Sequence, residues 1–400
     1  MTPTTQPVGM TRGLTLLFAI AGGAAVGNLY WAQPLLATIA HTLGISTAAA
    51  GLLVTVTQIG YAVGVFLVVP LGDTLNRRRL IPAILACSAV ALGATALAPT
   101  FAVLLVTLAA VGLTTVTGQL LVPLAGDLAR DDQRGHAVGT VASGILTGIL
   151  ASRTISGLIA DAFGWRAIYV VAAAITAVMM VLLARTLPPL PTRARVPYGQ
   201  LLRSIFTVIK AHRAVQVTLV ISAAVFAVFT MFWTGLTFLL SAPPFSYSLT
   251  QIGLVGLAGL AGALAAQRAG RFHDHGWSVP ATGGALLLVF ASLLLAALGV
   301  HSIALILVAV VLIDVAIQTA NVLNQTRVLA VDPAARSRLN AALVTNNFIG
   351  GAVGSALAGV LWTHGGWIAV TLVAALLIVV VLLVWLAQRP HLDAVNRPAR

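Results

Sequence analysis

The chain is a succession of apolar runs, and almost all of its charge lies in the short gaps between them. Each run is close to the roughly 20 residues that a helix needs to cross the ~30 Å hydrocarbon core of a bilayer. Inside such a core a segment must satisfy its own backbone hydrogen bonds, so each run reads as a helix. Composition closes the water-soluble alternative. Of 400 residues, 59% are hydrophobic and 8% charged, where a soluble domain carries about 25%.

Twelve runs are expected, centred near residues 26, 59, 89, 113, 148, 176, 226, 258, 288, 315, 350 and 377. The first extends from Leu14 to about Ala40, too long for a signal-peptide core, and reads as a retained span. Loop charge tests the count. With the N-terminus in the cytoplasm, 20 of the 22 Lys and Arg residues fall in cytoplasmic segments, Arg77, Arg130, Arg134, Arg327 and Arg336 among them. Arg166 lies on the other side and Arg153 lies inside a span. That is the positive-inside pattern, with both termini cytoplasmic. It also explains a formal charge of +13 without nucleic acid, whose binders gather basic residues on one face of a domain. The one cysteine, Cys87, excludes an intramolecular disulfide.

The stretch TLPPLPTRARVPYGQLLRS (186–204) is the longest polar one and divides six runs from six. Residues 1–187 are expected to form an N-terminal six-helix half, 188–212 a cytoplasmic linker and 213–400 a C-terminal six-helix half. The halves echo each other at an offset of 202: Arg134, Gly148, Gly157, Gly164 and Trp165 correspond to Arg336, Gly350, Gly359, Gly366 and Trp367. The expected fold class is an all-α integral membrane protein with twelve transmembrane helices in two pseudo-symmetric halves. Repeats with a site between them are a transporter organisation.

Enzyme chemistry finds no footing. A P-loop needs Gly-Lys-Ser/Thr, and the only lysine, Lys210, follows Ile209. HExxH and GxSxG are absent. His273-Asp274-His275 reads as a solvated loop with no third ligand in view, so neither metal nor cofactor is expected. Uphill movement of a solute would then draw on an ion gradient or a second solute.

Residues 69–79, VPLGDTLNRRR, join the second and third runs. With twelve runs in two sets, this loop resembles the major facilitator superfamily, whose pattern is G-x-L-x-D-R-x-G-R-R. Leu71, Asp73, Arg77 and Arg78 match; Val69, Thr74 and Asn76 depart. In the second half GRFHDHG keeps Gly270 and Asp274. GNLYWAQPLL in the first run is similar to bacterial efflux-type members, including those grouped with sugar and drug exporters. Two drug-antiporter patterns are altered. Leu108 and Val111 stand in place of R-x-x-Q before Gly112. GILTGILASR keeps Gly144 and Gly148 but has Ile149, Ser152 and Arg153 for the proline and the last two glycines.

The resemblance implies a monomeric secondary transporter in the bacterial cytoplasmic membrane. Its partners would be a small-molecule substrate, protons and the lipid bilayer, and its direction export; an uncoupled facilitator, an uptake symporter and a non-transporting membrane sensor or assembly protein are the alternatives. The matched loop implies a cytoplasmic gate of Asp73, Arg77, Arg78, Asp127 and Arg134, with Arg77 or Arg78 reaching Asp127.

Asp314 is the sharpest candidate. A central Asp costs about 2.5–3.5 kcal/mol on insertion scales and is tolerated when protonated, paired or facing water. Gln318, Asn321 and Gln325 follow at i+4, i+7 and i+11, one polar helical stripe. Asp314 reads as a proton or cavity site, with a structural hydrogen bond as the alternative. Arg153 cannot shed its proton. It needs a carboxylate, carbonyls or an anionic ligand, and either pairs with Asp314 or snorkels outward. Gly144, Gly148, Ser152 and Ser156 form a small-residue stripe on span five, as Gly253, Gly256, Gly259 and Gly262 do on span eight. Either these stripes are ordinary tight packing, or Gly144, Gly148, Gly256 and Gly259 form the moving interface that the resemblance places between the halves. Asn28, Tyr30, Gln33, Gln58, Gln119, Phe229 and Trp233 complete the substrate-cavity candidates, with lipid-facing or core packing as the alternative for the aromatics. Pro34 is a candidate kink.

Overall fold

The computed structural model describes residues 9–189, 197–259, 277–332 and 335–393. Every regular element among them is helical. Helix α1 (Arg12–Gly27) starts where the Thr11 hydroxyl accepts from the Leu14 amide. It stops after one apolar run too short to cross alone and resumes, through a 3-10 turn at Gln33–Leu35, as α2 (Leu36–Leu43). Then come α3 (Thr47–Leu67), the single turn α4 (Leu71–Thr74), α5 (Arg77–Ala96), α6 (Phe101–Thr114), α7 (Thr117–Leu128), α8 (Arg134–Phe163) and α9 (Trp165–Thr186). After α10 (Tyr198–Ala211) follow α11 (Arg213–Ser241), α12 (Leu249–Val255) with a 3-10 turn at Gly256–Gly259, α13 (Ser278–Leu298), α14 (Ile303–Val331) and α15 (Arg336–Asp393). Pro34 sits inside the first 3-10 turn.

Among the described residues, nine helical stretches are long and apolar enough to cross a bilayer, and Arg12–Gly27 and Leu249–Gly259 are shorter apolar helices. The 58-residue α15 bends at Gly365–Gly366. Gly366 has φ +59°, a left-handed conformation that glycine adopts without a Cβ clash. The bend makes α15 two helices in succession.

Close helix packing is built on glycine. Gly144 and Gly148 of α8 lie directly on the backbone of Ala19 and Gly23 in α1. Ser152 meets Gly27, and the Ser156 hydroxyl donates to the Trp31 carbonyl at 2.7 Å. The whole stripe therefore joins span five to span one, and Gly144 and Gly148 do not lie on the seam between the two sets of helices where the resemblance put them. The opposite face of α8 makes that contact. Gly157 lies on Leu249 and Gly253 of α12, and Thr154 Oγ1 donates to the Gly253 carbonyl at 3.0 Å. Gly157 is nine residues beyond Gly148. At 3.6 residues per turn this is half a revolution away.

The later helices repeat the arrangement. Gly350 and Gly354 lie on Ala223 and Ala227 of α11, while Gly359 lies on Ala48 of α3. Beside it Thr55 and Ser355 hydroxyls are 2.9 Å apart. The correspondence at offset 202 is thus one of packing: Gly148 and Gly350 each meet a helix of their own set, and Gly157 and Gly359 each meet a helix of the other.

Two regions depart from the sequence reading. The stretch expected as a linker contains α10, whose Ile205 is buried and whose Phe206 meets Phe66 edge-on at 5.8 Å. Leu201, Ile205 and Ile209 recur at helical spacing there, a pattern masked by the flanking prolines and arginines. Arg327, assigned to a cytoplasmic segment, lies inside α14 and is fully buried, donating to Asn324, Ser278 and Thr282. The His273-Asp274-His275 triplet, Gly262, and the Gly270 remnant lie outside the described residues.

Forcing a side chain into the α1–α8 contact should show as lost stability. Gly148→Leu is expected to lower stability by at least about 1–3 kcal/mol, the usual cost of overpacking. Gly139→Ala, at a glycine with open space around it, should be neutral. Thermal unfolding of the purified protein checks this; equal melting of Gly148→Leu and wild type would contradict the contact.

Candidate solute site

Both breaks in helix geometry meet one side chain. Where α1 ends, the Asn28 side chain holds the chain in its new path, accepting from Trp31 Nε1 at 2.7 Å and donating to Thr115 at 3.3 Å. Thr115 in turn donates to the Ala25 carbonyl at 3.3 Å, the way polar side chains satisfy backbone groups at helix breaks in a membrane. The turn that follows presents Tyr30 and Gln33 to Arg153 of α8. Across from them, the 3-10 turn Gly256–Gly259 replaces α-helix, and a Cβ on Gly256 would stand 3.1 Å from that of Arg153.

Arg153 is 3% exposed and points inward. Its Nε donates to Gln33 Oε1 at 2.8 Å. Its guanidinium lies 4.2 Å from the ring centre of Trp233, 5.0 Å from Tyr30 and 5.8 Å from Phe229. A desolvated cation over an aromatic face gains about 2 kcal/mol or more. Its Nη2 has no hydrogen-bond partner.

Trp233 contacts both intramembrane charges. Its face carries Arg153, and its Nε1 donates to Asp314 Oδ1 at 3.2 Å. Among the described residues no ion pair joins Arg153 to Asp314. The other Asp314 oxygen lies against Gly259, where no Cβ has room. Asp314 is 4% exposed. Arg153, Asp314, Gln318, Phe229 and Gly259 line one cavity of about 20 Å³. Arg153, Gln33, Pro34 and Trp233 line a second of about 10 Å³. Each has room for about one water, so the site is closed around its charges in this conformation.

The other candidates divide. Asn321 donates to Gln318 Oε1 at 3.3 Å but does not line the cavity. Gln325 bonds Asn340 instead. Asn28 is committed to the break in span one. Gln119 donates to the Tyr61 hydroxyl at 3.1 Å, and the Tyr61 ring lies tilted against Phe348 at 4.3 Å, which continues to Phe226 at 5.0 Å. Gln58 is buried on α3 with its Oε1 unpartnered. The sequence reading did not include the Tyr61–Phe348 contact; both are buried aromatics, and nothing in their spacing within separate helices pairs them.

The Major Facilitator Superfamily profile matches residues 18–332. The chain belongs to the major facilitator superfamily. It is a membrane transporter of that superfamily rather than an enzyme. It is 42% identical over 387 residues to the uncharacterized transporter YgaY of Escherichia coli O157:H7, covering 97% of this chain and 98% of that one. A probable transporter of Streptomyces coelicolor is 36% identical over 370 residues, covering 92% and 86%. The fold matches the nucleoside transporter NupG, TM-score 0.72 at 17% identity over 94% and 98% of the chains. It matches a bacterial homologue of the lysosomal transporter Spinster, inward-facing and occupied, at 0.75, with 15% identity over 97% and 98%.

In this facilitator the loop between spans two and three gathers charge around Arg77. Its Nη2 reaches Asp73 at 3.1 Å, its Nη1 reaches Asp127 at 2.8 Å, and its Nε donates to the Gly72 carbonyl at 2.8 Å. Arg78 is exposed, and Arg134 is exposed beside Gly126. The three Arg77 bonds use the fixed fork of a guanidinium, which an ammonium cannot copy. Arg77→Gln is expected to cost about 1–3 kcal/mol, moderated by the partial exposure of both carboxylates, and Arg77→Lys to recover only part of it. Thermal unfolding measures this; full recovery by lysine would mean that charge alone matters there.

Proposed function

We propose that this chain is a proton-coupled secondary transporter of a small organic solute. It works by alternating access across the bacterial cytoplasmic membrane, with twelve spans in two six-helix halves and both termini cytoplasmic. The nine long stretches, the bend in α15 and the two shorter apolar helices support the count of twelve. The observation that carries the reading is the convergence of Asp314, Trp233 and Arg153 where span one is broken and span eight passes from α-helix into a 3-10 turn. Discontinuous helices that meet at charged side chains are how transporters build mid-membrane sites. Ionisable groups kept in a span mark ion or substrate paths.

Asp314 carries the proton in this mechanism. The chain has nine Asp and no Glu, and Asp314 alone among the acids lies well inside a span, so the assignment has no competitor of its own kind. At roughly 100 mV one charge moving across the membrane supplies about 2.3 kcal/mol, enough for about a fifty-fold solute gradient. Gly157–α12 and Gly359–α3 form the surfaces on which the two sets of helices rock, and the Arg77 cluster closes the cytoplasmic side. Export, the direction implied by the span-one resemblance, requires proton and solute to compete for the site. Uptake requires them to bind together.

Sealed vesicles holding the purified protein, offered a metabolite extract with and without an imposed proton gradient and read by mass spectrometry, test this. The wild type is expected to accumulate at least one solute only with the gradient. Asp314→Asn, fixed in the neutral form, is expected to lose accumulation while still exchanging that solute across the membrane. Gradient-driven accumulation by a well-folded Asp314→Asn protein would remove Asp314 as the coupling group.

A further inference from the structure

We infer that the transported solute is an organic carboxylate with a flat apolar body, whose anionic group binds Arg153 while Asp314 holds a proton that travels with it. The inference rests on Asp314 as the coupling group and adds the chemical class of the solute and the sign of the coupling.

Arg153 is the unfinished part of the site. A permanently charged guanidinium in a membrane interior ordinarily meets a carboxylate, yet here the nearest structural answer is an amide and a set of rings. Gln33 takes Nε; Trp233, Tyr30 and Phe229 surround the cation; Nη2 is buried and unpartnered. The one acid nearby accepts from the Trp233 edge and makes no ion pair with the guanidinium, although both line one cavity. Both small cavities open on Arg153. The vacant position on its fork therefore suits a carboxylate, which takes two parallel N–H bonds from arginine. The three rings give an aromatic or flat apolar body its surface.

Charge bookkeeping then fixes the coupling. Asp314 on α14 is faced by Arg153 from α8, and Arg153 by Tyr30; among the described residues no other titratable side chain lines the two cavities. With Asp314 ionised the site sums to zero. With Asp314 neutral it carries one positive charge. An anion gains most from the second state, so anion and proton each favour the other's binding, by the same factor. Two species that bind together cross together, which makes the transporter a symporter. A cationic solute would meet an Arg153 that cannot be discharged. Competition with a proton, which export needs, would require that cation.

Equilibrium binding of three matched probes tests the inference without any gradient. Benzoate, benzylamine and benzyl alcohol are titrated by calorimetry into the full chain in lipid nanodiscs, at about pH 6 and about pH 8, where both ionic probes keep their charge. Benzoate is expected to bind, more tightly at the lower pH, and benzylamine is not. Arg153→Gln should weaken benzoate by about ten- to a hundred-fold. Should that variant not fold, Arg153→Lys, which keeps the charge and loses the fork, should weaken it several-fold. Asp314→Asn should keep benzoate binding and lose its pH dependence. Absence of benzoate binding, binding of benzylamine or benzyl alcohol as tight as that of benzoate, or benzoate affinity untouched by change at Arg153 would each overturn the anion assignment. Arg153-dependent benzoate binding that ignores pH in the wild type would overturn the shared proton instead, placing the failure in the coupling role of Asp314.

Discussion

The Arg153 guanidinium lies on the face of Trp233 at 4.2 Å, and the edge of the same indole donates to Asp314 at 3.2 Å. An arginine cannot escape burial by losing its proton, so the chain around it has to supply polar and aromatic surface deep in an apolar molecule. That demand accounts for much else. Span one leaves the α-helix at Asn28 and brings Tyr30 and Gln33 to the guanidinium. Span eight gives up side chains at Gly256 and Gly259, so that Arg153 and Asp314 fit against its backbone. The one indole contacts both charges, which line one cavity without forming an ion pair.

Glycine supplies the rest of the architecture by letting backbones touch. One face of α8 is committed to α1 through Gly144 and Gly148, and the face half a turn away meets α12 through Gly157. The first contact joins α8 to α1; the second joins it to α12, which follows the polar stretch 186–204. Because Arg153 precedes Gly157 by one helical turn, any sliding at that second contact moves the guanidinium relative to Gly253–Gly259 and Asp314. A conformational change and a change in the site are then one event.

Much of this could be read from residue order, because the controlling physics is local. Apolar run length predicts membrane-crossing helices, nine of them long enough among the described residues, and Asp314 and Gln318, at an i, i+4 step, line one small cavity. The same stripe continues to Asn321, but a 1.5 Å rise per residue puts it about 10 Å along the helix from Asp314, and it does not line the cavity. What stayed hidden was which neighbour each face meets. Gly148 and Gly157 look alike in sequence, and only the three-dimensional arrangement sends one to α1 and the other to α12. The repeat at offset 202 held that information without a key: Gly350 and Gly359 divide in the same way. Arg327 misled for a related reason. Near the end of an apolar run it has the sequence profile of a loop charge, yet α14 continues to Val331 and buries it against Ser278 and Thr282.

The proposed coupling has Asp314 exchange a proton under the influence of Arg153, with Trp233 in contact with both. Infrared difference spectroscopy of the protein in lipid, titrated with acid, reads this directly through the C=O stretch of a protonated carboxyl group. The account predicts a band that grows as pH falls, is missing in Asp314→Asn, shifts in frequency in Trp233→Phe, where the indole hydrogen bond is lost, and titrates at a different pH in Arg153→Gln. A carboxyl band that survives Asp314→Asn unchanged, or an Asp314 band indifferent to both Trp233 and Arg153, would contradict it.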